Sequence, residues 1–258
     1  LSTPTGNSTY HALLFKSEKR FSNGLQYLVA YSFSKTLTDI AFNSNGQLSP
    51  PQDQYNRRAE KSLANIDRPQ RLVLSYTYEL PWGVGRPFFN KGVLSHIFGG
   101  FAISGIHTYQ SGEPLRITTP NNLPIFGGHL RPNLISGVPI SIGPGRGSFE
   151  PLNGLSGQQG DLYLNRDAFA IPASLTLGNA PVYLPSDRGP GFAGEDISLT
   201  KRQMLWEGKT AEFRADFFNV FNRRNLNNPI TDLSNPNFGR ITGQQAARVI
   251  QLGFRFDF

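Results

Sequence analysis

Glu212 and Asp216 lie on one face of an alternating segment with Arg214 between them, so two carboxylates stand where they could share acid–base work. Such work needs one carboxyl group protonated and one ionised near neutral pH. A guanidinium between the two favours the charged form of both. The residues therefore read as a charge ladder, extended by Arg255 and Asp257 on the polar face of the last segment. The four histidines, His11, His96, His107 and His129, are far apart, and none has a second ligand at helical spacing. IGPGRGSF (142–149) is Gly-rich but lacks the Lys-Ser/Thr and the following helix of a phosphate loop. No G-x-S-x-G elbow or H-E-x-x-H motif occurs. The expectation is a chain with no catalytic residue, no metal and no cofactor.

Composition narrows the remaining classes. With 258 residues and no cysteine, disulfides, zinc–thiolate sites, iron–sulfur clusters and cysteine nucleophiles are excluded. Charged residues make up only 17% and aromatics 12%, while 27 Gly and 19 Pro favour short strands and irregular loops over helices. The net charge of +7 raises the question of nucleic acid. However, the basic residues are scattered, with no group denser than Arg57-Arg58, Lys201-Arg202 or Arg223-Arg224, so no nucleic-acid partner is expected. The longest mostly apolar run, 97–106, holds three glycines and falls short of the ~20 residues of a spanning helix. Residues 1–15 lack the basic and apolar regions of a signal peptide.

Period-two alternation dominates the chain. Leu25, Tyr27, Val29, Tyr31 and Phe33 form one apolar face, and Leu72, Leu74, Tyr76, Tyr78 and Leu80 another. Ala211, Phe213, Ala215 and Phe217, then Ile250, Leu252, Phe254, Phe256 and Phe258, give two more. Weaker strands are expected over 9–21, 99–117 and 194–203. The clean faces span about 9–11 residues, the length of a tilted membrane-crossing strand. Connections between the seven strands run about 3, 34, 18, 76, 5 and 26 residues, the short-turn, long-loop alternation of outer-membrane barrels. Compact soluble domains rarely hold structureless loops of such length. Because the last strand ends the chain, the short turns are assigned to the periplasm and the loops 36–69, 118–193 and 222–247 to the outside. Aromatics near the short turns (Trp82, Phe88, Phe89 and Trp206) suit an interfacial girdle.

An antiparallel barrel cannot close on an odd number of strands, because its first and last strands would run parallel. The fold class expected is therefore all-β: an antiparallel transmembrane β-barrel of which residues 1–258 form the C-terminal portion, about 7–9 strands. The remaining strands and any leader would lie upstream.

Several segments also resemble a known family. SGEPL (111–115), RPNLI (131–135), LNRDAF (164–169), RGPGF (188–192), DISLTK (196–201), FRADFFNVFN (213–222) and RVIQLGFRFDF (248–258) resemble the C-terminal barrel region of TonB-dependent outer-membrane receptors. YSFSKTLTD (31–39) and YTYELPWG (76–83) fit the same pattern, and the likeness is to the Oar-like subgroup, which carries a carboxypeptidase-regulatory-like domain. The resemblance implies a 22-stranded barrel around an N-terminal plug, with energy drawn from an inner-membrane TonB complex. Neither the plug nor the TonB box is in this sequence.

The last strand also resembles the C-terminal signal by which outer-membrane proteins are handed to the barrel assembly machinery. Its elements here are Gln251, Gly253, Phe254, Phe256 and Phe258. An extended segment of this kind can add to an open sheet edge, and Gly253 would permit close approach or a bend. The partners expected are thus outer-membrane lipid, the assembly machinery, the TonB complex through a plug, and an extracellular ligand of unknown identity. Three functions compete: active uptake, adhesion by a surface protein of the same architecture, and carbohydrate binding by a secreted sandwich. The sandwich requires a second sheet over the face of Leu72, Leu74 and Tyr76.

Overall fold

A computed structural model describes residues 6–42, 48–121, 123, 130–142, 161–206 and 208–258. Seven long strands carry the fold: β1 (Ser8–Ser22), β2 (Leu25–Thr38), β3 (Gln70–Glu79), β4 (Phe101–Gln110), β5 (Phe192–Met204), β6 (Thr210–Phe218) and β7 (Val249–Asp257). They pair in chain order, each antiparallel to the next. Two short helices are added, α1 (Arg57–Glu60) and α2 (Gly92–Phe98). Among the described residues β1 and β7 form the two edges of the sheet and do not pair with each other. The sheet is a partial barrel wall, and among the described residues no second sheet covers it.

Turn chemistry sets the alternation of connections. Asn23 and Gly24 both take positive φ, 51° and 77°, which is the two-residue hairpin turn whose twist matches that of its strands. The five-residue connection 205–209 closes by Leu205 N–H donating to Lys209 O at 2.9 Å. The third short-side connection, 80–100, is longer because it holds α2. It ends at Gly100 with φ 73°, where an added Cβ would lie 1.9 Å from Arg202 O, so only glycine fits. The other three connections, 39–69, 111–191 and 219–248, lie at the opposite end of every strand they join.

Expected and observed strands agree closely except over 99–117, where the strand stops at Gln110. Gly112 lies so close to Gly189 O that a Cβ there would be 1.8 Å away. The backbone leaves the ladder at this point to join the loops. Pairing also fixes the two faces. Leu25, Val29 and Tyr31 stand opposite Tyr78, Leu74 and Leu72, and Phe213 and Ala215 stand opposite Phe254 and Leu252, so the separate apolar faces become one. That face is half-buried on β2 and β3 and exposed towards β7, where Leu252 stands at 79% and Phe254 at 62%. Among the described residues no second sheet lies over Leu72, Leu74 and Tyr76, as the soluble sandwich would require. Exposed apolar surface of this extent is what lipid covers.

The buried core lies elsewhere. Leu115, Ile117, Tyr163, Leu164, Phe169, Leu184, Leu233 and Phe238 pack together, and every one of them belongs to the long connections. Sequence reading treats these stretches as loops. They fold into a body of their own at one end of the sheet.

Candidate functional site

Two places on this scaffold concentrate polar chemistry. The first is the face opposite the apolar one. Glu18 of β1, Gln26 and Leu28 of β2, Ser75 and Thr77 of β3, Ser104 and Ile106 of β4, Asp196 and Ser198 of β5, and Arg214 and Asp216 of β6 line a trough of about 580 Å³. It crosses six strands, so the sheet curves towards this polar side. The five ladder residues share the polar face. Arg214 Nε donates to Asp216 Oδ1 at 2.8 Å, and Ser198 Oγ donates to the same oxygen at 2.5 Å. Glu212 does not share Arg214. It faces Arg202 of β5 at 3.8 Å, and Arg255 Nε donates to Asp257 at 2.8 Å. The sequence reading gave Arg214 to both carboxylates, and the register gives each its own guanidinium. These pairs are largely exposed, and each contributes little to stability.

The second place is the loop body, which joins segments far apart in the chain. Asp67 has a fully buried side chain. It accepts Thr36 N–H at 2.5 Å and Arg188 Nη2 at 2.5 Å, while Arg188 Nη1 also donates to Asp67 O at 3.1 Å and Gly112 O at 3.3 Å. Arg131 pairs with the equally buried Glu60 at 3.0 Å. Gln52 receives Arg131 N–H at 2.8 Å and donates to Gly178 O at 2.8 Å. Burial pushes the Arg131 guanidinium below its usual pKa, opposed by the Glu60 charge. Arg68 is also lowered by burial, and it pairs with Glu113. Tyr163 donates to Arg188 O at 2.5 Å, and burial foremost, then the charge of Asp187, pushes its hydroxyl up to about 12.

The third long connection is joined to the second through its backbone. Thr118 N–H donates to Thr231 O at 3.0 Å, Leu233 N–H to Thr118 O at 2.9 Å and Tyr163 N–H to Gly239 O at 2.7 Å. Buried charges without partners cost several kcal/mol. The complementary pairing of Asp67 with Arg188 and of Glu60 with Arg131 therefore selects one arrangement of the loops. Arg131 and Arg188 fall within RPNLI and RGPGF, segments notable in the sequence only for their resemblance. Asp67 and Glu60 carry no pattern that singles them out.

The remaining sequence candidates are dispersed. His11 lies on β1, His96 sits 3.5 Å from Gln203 Nε2, His107 stacks on Tyr76 at 5.6 Å, and His129 lies outside the described residues. Residues 143–149 of the Gly-rich segment also lie outside them. Among the described residues no three of His, Asp and Glu gather as a metal site. The girdle aromatics do gather. Trp82 meets Phe89 edge-on at 6.1 Å, Phe89 lies 5.0 Å from Phe98, and Phe256 stacks on Phe258 at 6.2 Å. Gln251, Gly253, Phe254 and Phe256 lie on β7 beside its open edge, and Phe258 follows it, 98% exposed. A Cβ on Gly253 would meet Arg214 Cβ at 3.9 Å, an ordinary contact, so this backbone does not demand glycine there.

No curated protein matches the chain. Among solved structures it is similar to the outer membrane transporter YddB from Escherichia coli, at 12% identity and a TM-score of 0.45, over 96% of this chain and 25% of that one. It thus spans a quarter of that transporter's length. The family described as "Outer membrane beta barrel domain" matches residues 1–251. With its large antiparallel sheet, apolar face and opposed polar face, the chain belongs to the outer membrane beta-barrel domain family and is a protein of the outer membrane.

Proposed function

We propose that the chain is the C-terminal wall of a larger TonB-dependent, Oar-like receptor barrel that takes up a ligand across the outer membrane. In this reading the loop body faces outside and gathers the ligand, the short turns face the periplasm, and the polar trough with its ladder from Glu212 to Asp257 faces the lumen. The energy-coupling complex would act through a plug held by the rest of the barrel. The observation that carries the reading is the coincidence of two features on one sheet. A polar concave face crosses six strands, and the three long connections are locked together at one end of it. An adhesin needs the second feature but has no use for a polar passage.

Orientation is tested with single cysteines, which the natural chain lacks. Tyr55→Cys and Leu175→Cys lie on the loop body at 91% and 69% exposure, and Val84→Cys lies at the short-turn end at 71%. A membrane-impermeant maleimide on intact cells should label the first two and spare the third until the outer membrane is permeabilised. The reverse pattern would overturn the orientation. Uptake is tested by growth of cells on candidate nutrients with the inner-membrane energy complex present or deleted. Growth that requires this protein but not the complex would refute energy-coupled transport.

A further inference from the structure

A cleft of about 200 Å³ opens where β1 and β2 enter the loop end, lined by Thr9, Leu37, Asp39, Arg57, Arg58 and Lys61 among others. Register places it on the membrane-facing side. Thr9 pairs with Leu37, His11 with Lys35 and Leu13 with Phe33, so these residues share the face that carries the exposed Leu13, Phe15 and Phe33. Phe33 and Leu37 are four positions apart on the strand, a rise of about 13 Å. Moving up this face, the chain passes from the apolar band through His11 and Lys35 to a cleft rimmed by three cations. One carboxylate, Asp39, lines it. That carboxylate accepts Asn7 N–H at 2.7 Å and pairs with Arg57 at 3.1 Å. Arg58 and Lys61 are exposed and have no ion-pair partner among the described residues.

We propose that this cleft binds the phosphate of an anionic lipid headgroup in the adjoining leaflet, with the lipid's acyl chains lying on Leu13, Phe15 and Phe33. Three properties of the site fit an amphiphile better than a soluble anion. The cations sit at the edge of the apolar band, not within the lumen-facing trough. The pocket is small, the size of one headgroup substituent. Arg57 is held in place by Asp39, which leaves Arg58 and Lys61 as the uncompensated charge, and planar and point-charge donors together suit a phosphate. The proposal rests on the membrane placement of the apolar face. Only the assignment to the outer leaflet depends on the orientation argued above, and cysteine labelling tests that separately.

The test uses the native protein extracted in a neutral detergent, with mixed micelles containing bis-phosphorylated lipid A or the same lipid with its phosphates removed. Bound lipid is counted by native mass spectrometry. Wild type should retain the phosphorylated lipid and not the dephosphorylated one. Each basic residue near a membrane surface changes affinity by about fivefold, so Lys35→Gln/Arg58→Gln/Lys61→Gln should weaken retention by about a hundredfold. The charge-matched control Lys16→Gln/Arg20→Gln/Arg202→Gln, on the polar face, should retain it. Unchanged heat-modifiable migration in gels shows that both variants are folded. Equal loss in the control would mean that net charge, not this cleft, binds the lipid. Displacement by millimolar inorganic phosphate would assign the cleft to a free oxyanion, and retention of dephosphorylated lipid would assign binding to the apolar band alone. Each of these outcomes overturns the proposal.

Discussion

Replacing Asp67 with alanine should open the loop body while leaving the barrel wall intact. The carboxylate is fully buried and serves two donors, Thr36 N–H and the Arg188 guanidinium. Removing it strands a buried cation whose remaining partners are two backbone carbonyls, Asp67 O and Gly112 O. Breaking one partner of a buried ion pair costs about 3–5 kcal/mol, and the orphaned amide falls within that sum because the two losses share one carboxylate. At about 1.4 kcal/mol per tenfold, amides that exchange through loop opening should speed up by roughly two to three and a half orders of magnitude. The assay is hydrogen–deuterium exchange by mass spectrometry in detergent, comparing peptides over 112–118 and 184–190 with one over 70–79. The loop peptides should accelerate while the strand peptide holds. A second variant, Asp67→Leu/Arg188→Met, removes both charges and should recover most of the loss, leaving the cost of the Thr36 amide. Unchanged loop exchange in Asp67→Ala would refute the idea that the pair locks the loops. Equal acceleration of the strand peptide would refute the separation of loop body from wall.

Three further outcomes are expected. Tyr163 is an acid whose folded pKa, about 12, lies above its ordinary value near 10. The stability it confers is full below pH 10 and is lost as pH rises from 10 to 12. That loss amounts to about 3 kcal/mol at roughly 1.4 kcal/mol per unit. Chemical denaturation of the loop body followed across this range should show the loss, and Tyr163→Phe should abolish it. Arginine at Leu74, on the apolar face, should cost about 2–4 kcal/mol near the bilayer midplane, whereas Ser75→Arg on the polar face should cost far less. Reversible unfolding into lipid vesicles measures both, and equal costs would contradict the assignment of faces. Deleting Phe258 should sharply reduce heat-modifiable protein in the outer membrane, while Gly253→Ala should assemble normally because its Cβ has room. Normal assembly of the deletion would show that Phe258 is a girdle aromatic and no handle for the assembly machinery.

Much of the wall was legible because its determinants are local. Alternation in 25–33 and 250–258 gives a strand and both its faces from side-chain period alone, and the shortness of the first connection marks a tight turn between the first two strands. Connection lengths added the sidedness. The overextension of 99–117 has a tertiary cause: nothing near Gly112 in sequence signals that Gly189 O will occupy the space a side chain would need.

The site was legible in part. Alternation assigned Glu212, Arg214, Asp216, Arg255 and Asp257 to one face, because parity along a strand is a property of the chain. Their partners depended on register between β5, β6 and β7, which gave Glu212 to Arg202. The loop body was not legible at all. Asp67 and Arg188 stand 121 residues apart, and Gln52 and Gly178 stand 126 apart. Their segments have neither a helical nor a strand period, so they read as irregular chain. Sequence by itself determined the strands, their faces and the side on which each connection lies, since these follow from the geometry of a pleated backbone and its turns. Only the tertiary structure decided that the three long connections form one body, because complementary buried charges recognise each other only after the sheet has brought the ends of its strands together.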